Sequence, residues 1–311
     1  MMSLVHRILA GDPRALAQAA TLIENRSDES TALLQGLFAY SGRALLIGFT
    51  GAPGVGKSTL VTQAARLARK DGHSVGIIAV DPTSPYSGGA LLGDRIRMME
   101  HQVDSGVFIR SMASRGSLGG LAAAAADVAL LLDAAGREII LIETVGTGQG
   151  ETAISYLADV TVVVITPGFG DDVQALKAGM LEIADVFALN KADRPGTDSF
   201  ERELKAGSSR VHRQDGWAPP VIRTIATEGF GVEDLWSHIH AFHEVGRNTT
   251  RRVNAWASRL AEMLRERVLR DFPRCELYRA AQEIVEHRRD PYTVVEEWLE
   301  RVRACHCPGQ S

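Results

Sequence analysis

No apolar run in this chain is long enough to cross a bilayer, which takes about 20 residues. The longest, Leu121 to Leu132, carries Asp127 inside it and reads as a buried helix. The opening residues, Met1 to Arg7, have no long apolar stretch, so no secretory signal is expected. Cysteine is scarce: Cys275, Cys305 and Cys307 are the whole set in 311 residues. An odd, sparse complement fits a reducing cytoplasm and argues against a disulfide framework. Positive charge is not in excess. At a formal net charge of −4 the chain offers no electrostatic case for nucleic acid or an anionic membrane as partner. Repeats and low-complexity segments are also missing. With 45% hydrophobic and 23% charged residues, the composition is that of a globular protein of one large or two modest domains.

What is present centres on Gly51-Ala52-Pro53-Gly54-Val55-Gly56-Lys57-Ser58, which fits the phosphate-binding pattern G-x-x-x-x-G-K-[ST]. Ala44 to Thr50 before it reads as a buried strand. Thr59 to Arg69 after it has apolar residues at helical spacing. Glycines at 51, 54 and 56 let successive N–H groups turn inward around an anion. The helix N-terminus adds its dipole and unpaired donors. Gly54, Val55, Gly56, Lys57, Ser58 and Thr59 are therefore the expected phosphate-binding residues. Lys57 should reach the β- and γ-phosphates, and the Ser58 hydroxyl should bind Mg²⁺.

From Ala44 to about Gly246, strand-like runs alternate with helical windows. The expected strands are Leu45–Phe49, Val75–Val80, Val107–Ile109, Ile139–Ile142, Val160–Ile165, Val186–Leu189 and Val221–Thr224. Several are continuously apolar, as in a sheet covered on both faces. This predicts an α/β domain over 44–246 with a mostly parallel central sheet flanked by helices. Ligands then sit at the carboxyl ends of the strands. Residues 1–43 are expected to form a helical extension, with Leu16, Ala19, Ala20 and Ile23 on one face. Residues 247–311 read as charged helices with an apolar stripe through Val253, Trp256, Leu260, Met263 and Leu264. These either cap the domain or form a dimer arm.

Four more features lie after strands. Asn190-Lys191-Ala192-Asp193 fits the N-K-x-D signature that reads guanine. An ionised Asp193 offers only acceptors, matched by the N1–H and 2-amino donors of guanine and not by adenine. After the last strand, the Ala226 amide is placed to meet the guanine O6. Glu143, closing an apolar strand three residues before Gly146, has the layout of a γ-phosphate sensor within reach of the metal shell. Asp81 and Asp94 are either carboxylates near the Mg²⁺–phosphate cluster or helix caps. Arg95, Arg110 and Arg115 are candidates to meet phosphate charge. Cys305-His306-Cys307 supplies at most three soft ligands in a terminal tail, and the unremarkable reading is preferred.

Together these residues resemble the MeaB/ArgK/MMAA-type P-loop GTPases, chaperones of adenosylcobalamin-dependent acyl-CoA mutases such as methylmalonyl-CoA mutase. The resemblance runs from about residue 10 into the C-terminal helices. It is carried by 51–58, 80–84, 88–98, 116–120, Glu143 to Glu151 and Asn190 to Asp193. It implies that Asp94 and Glu143 join Ser58 around Mg²⁺ and that Asp81 sits near the hydrolytic water. It implies that the segment Pro167 to Lys177, with Asp171, Asp172 and Lys177, couples nucleotide state to the mutase. It also implies a homodimer held by the C-terminal helices, and a role in gating cofactor loading and release of inactive cofactor. The expected ligands are GTP or GDP with Mg²⁺, and the expected place is the cytoplasm. Three rival readings share the nucleotide motifs, of which a signal-recognition-type GTPase would need an RNA- or membrane-binding domain. A metallochaperone GTPase for metal-centre assembly would want a histidine-rich tract. A GTP-gated scaffold would show negligible hydrolysis.

Overall fold

The computed structural model describes residues 3–81, 104–113, 118–144, 154–168, 179–209, 213, 216–245, 249–270 and 272–305. The chain divides into two compact units, Met1–Arg252 and Val253–Ser311.

The first unit opens with three helices: α1 (Leu4–Leu9), α2 (Pro13–Glu24) and α3 (Asp28–Phe38). Asp12 caps α2 by accepting from the amides of Arg14 (2.8 Å) and Ala15 (3.3 Å), and Pro13 supplies a pre-set first helical residue. The buried face of α2 is Ala15, Leu16, Ala19, Ala20 and Ile23.

Seven parallel strands follow: β1 (Leu45–Thr50), β2 (Val75–Asp81), β3 (Val107–Ala113), β4 (Ile139–Glu143), β5 (Val160–Ile165), β6 (Val186–Asn190) and β7 (Val221–Thr224). Their order is β3-β2-β4-β1-β5-β6-β7. All seven expected strands form. Every residue of β4, β5 and β6 is buried, because helices cover both faces. On one face α4 (Lys57–Lys70) and α7 (Val232–Val245) enclose a core built on Ile47, Phe49, Leu141 and Val162. On the other, α5 (Leu118–Ala134) and the N-terminal helices share a core with Ile78, Val80 and Ile142. A smaller cluster joins β5 and β6 to α6 (Thr197–Ser208) through Phe187, Leu189, Phe200 and Leu204.

β3 is longer than its apolar run, reaching Ala113 in register with β2. It is an edge strand, so the polar Arg110 costs it nothing in core packing. The Arg110 guanidinium pairs with Glu24 and donates to Thr21 Oγ1 (3.1 Å), both on α2. This corrects one expectation: Arg110 is committed to the N-terminal helices.

Asp133, at the end of α5, is buried and accepts from the amides of Gly42, Arg43 (3.1 Å) and Ala44 (3.0 Å). It therefore sets where the chain enters β1. Asp133→Ala is expected to cost about 2–4 kcal/mol, since charge-assisted bonds are lost and amides orphaned. A lowered urea midpoint, partly restored in Asp133→Asn, is the check; an unchanged midpoint in the alanine variant refutes it.

The second unit contains most of α8 (Thr249–Arg270), with α9 (Arg274–Val285) and α10 (Pro291–Cys305). Phe272 stacks on Trp298 with ring centroids 4.8 Å apart, and Arg301 lies 4.3 Å over the Phe272 ring. The Arg301 hydrogen bonds to Glu276 hold that carboxyl below its ordinary range. On α8, Val253, Trp256, Leu260, Met263 and Leu264 are all exposed, so its apolar stripe is a surface feature. Among the described residues, no helix is long and apolar enough to cross a membrane.

Candidate active site

From β1 the chain runs to β2, β3 and β4 on one side and then crosses to β5, β6 and β7 on the other, so the carboxyl end of β1 is a topological switch point, where open α/β sheets place their ligands. The glycine-rich loop lies there. Gly51 has φ +139°, and a Cβ on it would sit 2.1 Å from the Val164 carbonyl oxygen of β5. Only glycine lets the loop begin that close to the neighbouring strand. Gly56, at φ +101°, is the N-cap of α4, and a Cβ there would lie 2.3 Å from Asn190 Nδ2. No side chain caps the first turn of α4. Its amides thus form the donor set that phosphate oxygens take.

Lys57 is buried and bends back over the loop. Its Nζ donates to the carbonyl oxygens of Gly51 (2.8 Å) and Ala52 (2.9 Å). Ser58 Oγ donates to Glu143 Oε1 at 2.6 Å. The β1–β4 register explains the meeting: Phe49 is level with Glu143, so the end of β4 faces the start of α4. Both side chains are buried, at 7% and 6% exposure, so the pair is part of the interior. Thr59 follows on the first turn of α4, half-buried.

Asn190 and Lys191 turn out to brace the loop. Asn190 Nδ2 donates to the Val55 carbonyl (2.8 Å), and Lys191 Nζ donates to the Gly54 carbonyl (2.8 Å). Lys191 reaches this position from a left-handed backbone, φ +57°. Asn190 Oδ1 accepts from Thr224 Oγ1 (3.2 Å) and from the Ala226 amide (3.0 Å). Ala226, 3% exposed, directs this N–H at Asn190. Asp193 lies exposed on the turn that follows.

The structure therefore gathers Gly51, Gly54, Val55, Gly56, Lys57, Ser58, Glu143, Asn190, Lys191 and Ala226 at one edge. Asp81 closes β2 at the same edge, level with Ala113, and only its backbone is described. Asp94, Asp171, Asp172, Lys177, Arg95 and Arg115 lie outside the described residues. His306 and Cys307 do too, and of Cys305 only the backbone is described. Sequence reading missed Thr50 and Thr144, whose hydroxyls meet at 3.0 Å and tie the loop's strand to the residue after Glu143. A hydroxyl at the end of β1 and another just past the end of β4 were the available signal.

Comparison with known proteins bears directly on this arrangement. A family model described as "Methylmalonyl Co-A mutase-associated GTPase MeaB" matches residues 16–275. The chain belongs to the MeaB family of GTPases. A Pyrococcus abyssi protein with a provisional GTPase name is 43% identical over 310 residues, covering 96% of each chain. GTPase ArgK of Escherichia coli is 37% identical over 76% of this chain and 74% of its own. The mouse methylmalonic aciduria type A homolog, a mitochondrial protein, is 32% identical over 85% of this chain and 69% of its own. Among solved structures, an LAO/AO transport system kinase superposes with a TM-score of 0.70 at 27% identity, covering 96% of both chains. As a MeaB-family member the chain is a P-loop GTPase, and it binds guanine nucleotide.

Proposed function

We propose that this MeaB-family GTPase is the Mg²⁺-dependent G-protein chaperone of an adenosylcobalamin-dependent acyl-CoA mutase, gating cofactor loading and the release of inactive cofactor. One observation carries the reading: the chain matches, over residues 16–275, a family described by its association with methylmalonyl-CoA mutase.

In this reading the P-loop amides and Lys57 hold the phosphates. Ser58 and Glu143, with Asp94, hold Mg²⁺. The donor set fits that ion, since a hydroxyl and a carboxylate are hard oxygen ligands and they already lie within 2.6 Å of each other. Mg²⁺ needs only one or two carboxylates beside phosphate oxygens. When bound, the ion neutralises charge developing on the phosphates. Asp81 orients the attacking water. Asp193 reads the guanine edge while Asn190 and Lys191 keep the loop in place. The protein contributes positioning and charge stabilisation more than covalent chemistry. The exposed apolar stripe of α8 supports a homodimer through the C-terminal helices. Sparse cysteine supports a cytoplasmic setting.

The test is single-turnover GTP hydrolysis with and without the mutase. Hydrolysis should be slow alone and accelerated by the mutase. Absence of acceleration by any acyl-CoA mutase of this class would remove the partner and leave the GTPase. Lys177→Ala should spare the intrinsic rate and blunt the stimulation. Equal loss of both would show that the Pro167–Lys177 segment is not a coupling switch.

A further inference from the structure

Gln63 sits on α4 one turn beyond Thr59, on the same face of the helix. Its Nε2 donates to the Ala226 carbonyl oxygen at 2.9 Å. The Ala226 amide donates to Asn190 Oδ1, and Asn190 Nδ2 donates to the Val55 carbonyl. Both main-chain polar groups of a buried residue are thus held, one by Asn190 and one by Gln63. The circuit is closed. It leaves α4 at Gln63, crosses the loop after β7, passes through Asn190 into the P-loop, and returns to α4.

The carboxamide has one orientation that satisfies both its ends. Gln63 Oε1 faces the Arg66 guanidinium, with Nη1 at 3.4 Å, so the amino group faces Ala226. The outer side of Gln63 opens, with Arg66, Gly229 and Gly231, on a cavity of about 470 Å³. Gln63 is half-buried and its contact is a hydrogen bond, so its replacement removes little packing.

We infer that Gln63 is a positioning residue for guanine recognition: it fixes the loop after β7, and through Ala226 it sets the orientation of the Asn190 carboxamide of the N-K-x-D signature, while Lys191 holds the P-loop independently at Gly54. This rests on the guanine-nucleotide reading above. Loss of the Gln63 donor leaves the Ala226 carbonyl orphaned in the interior, and the loop relaxes to rehydrate it.

The experiment is calorimetric titration of the full chain with GDP and, separately, with inorganic pyrophosphate, for wild type, Gln63→Glu and Gln63→Leu. The glutamate is close in shape but presents no donor to the carbonyl. Both variants should bind GDP about 5- to 30-fold more weakly, the range expected when a buried carbonyl loses its partner. Pyrophosphate affinity should stay within about twofold, because Lys57 and the loop amides that receive it are untouched. A residue that only supports the fold would lower both affinities and the melting temperature together. Unchanged GDP affinity in Gln63→Glu, or parallel loss of GDP and pyrophosphate, overturns the inference. Wild type that takes up no GDP overturns the nucleotide reading itself. Wild type that binds GDP as tightly as its Gln63 variants overturns only the role of Gln63.

Discussion

Lys57→Ala is expected to lower GTP hydrolysis by at least about 10²- to 10³-fold, the scale seen when one preorganised charge stabiliser is removed. The geometry explains why. Lys57 is 6% exposed, and its ammonium is already held over the loop by two of the loop's own carbonyls. A phosphate arriving on the α4 amides presents stronger, charged acceptors to the same Nζ, and the swap needs no rebuilding of the backbone. Alanine offers neither charge nor reach. Arginine would not restore the rate, because its planar fork does not replace a point charge in a space shaped by two carbonyls. Single-turnover hydrolysis is the measurement, with a thermal melt to confirm folding. Near-normal turnover in a folded variant removes the P-loop lysine from the chemistry.

Asp193→Asn should weaken GTP and GDP by about 10²- to 10⁴-fold, the effect of losing two hydrogen bonds to an ionised carboxylate. The same change should improve binding of xanthosine nucleotides, whose carbonyl at position 2 accepts from the new carboxamide. Asp193 is exposed on its turn, while Asn190 and Lys191 are tied to Val55 and Gly54. The substitution therefore tests base reading without disturbing the brace. Competition titration with GDP, ADP and xanthosine diphosphate gives the answer. An unchanged guanine preference would show that the edge of the base is read elsewhere.

β1, β4 and β6 were legible because each is a short apolar run between turn residues, and burial on both faces leaves that run unbroken by polar residues up to its last position. Strand ends were less so. Glu143, Asn190 and Asp81 are polar, yet they close β4, β6 and β2. A strand's last residue answers to the ligand edge more than to the core. Arg110 shows the converse. A charge within a strand reads from sequence as an arginine free to reach phosphate, and only the packing of α2 against the sheet reveals Glu24 beside it. Ala226 is a related case. Its position after β7 was readable, but the direction of its N–H depends on where the side chain of Asn190, 36 residues earlier, arrives.

By itself the sequence determined the phosphate loop, the parallel α/β class and the family, because these depend on local backbone freedom and on the period of apolar residues. Only the tertiary structure decided what those residues do to one another. Ser58 meets Glu143 through the register of β1 on β4. Asn190 and Lys191, expected from their motif to read guanine, grip the phosphate loop, and Gln63 secures the far side of that grip. Such contacts join segments far apart along the chain. No local pattern encodes them, and they exist only once the sheet has brought its strand ends to one edge.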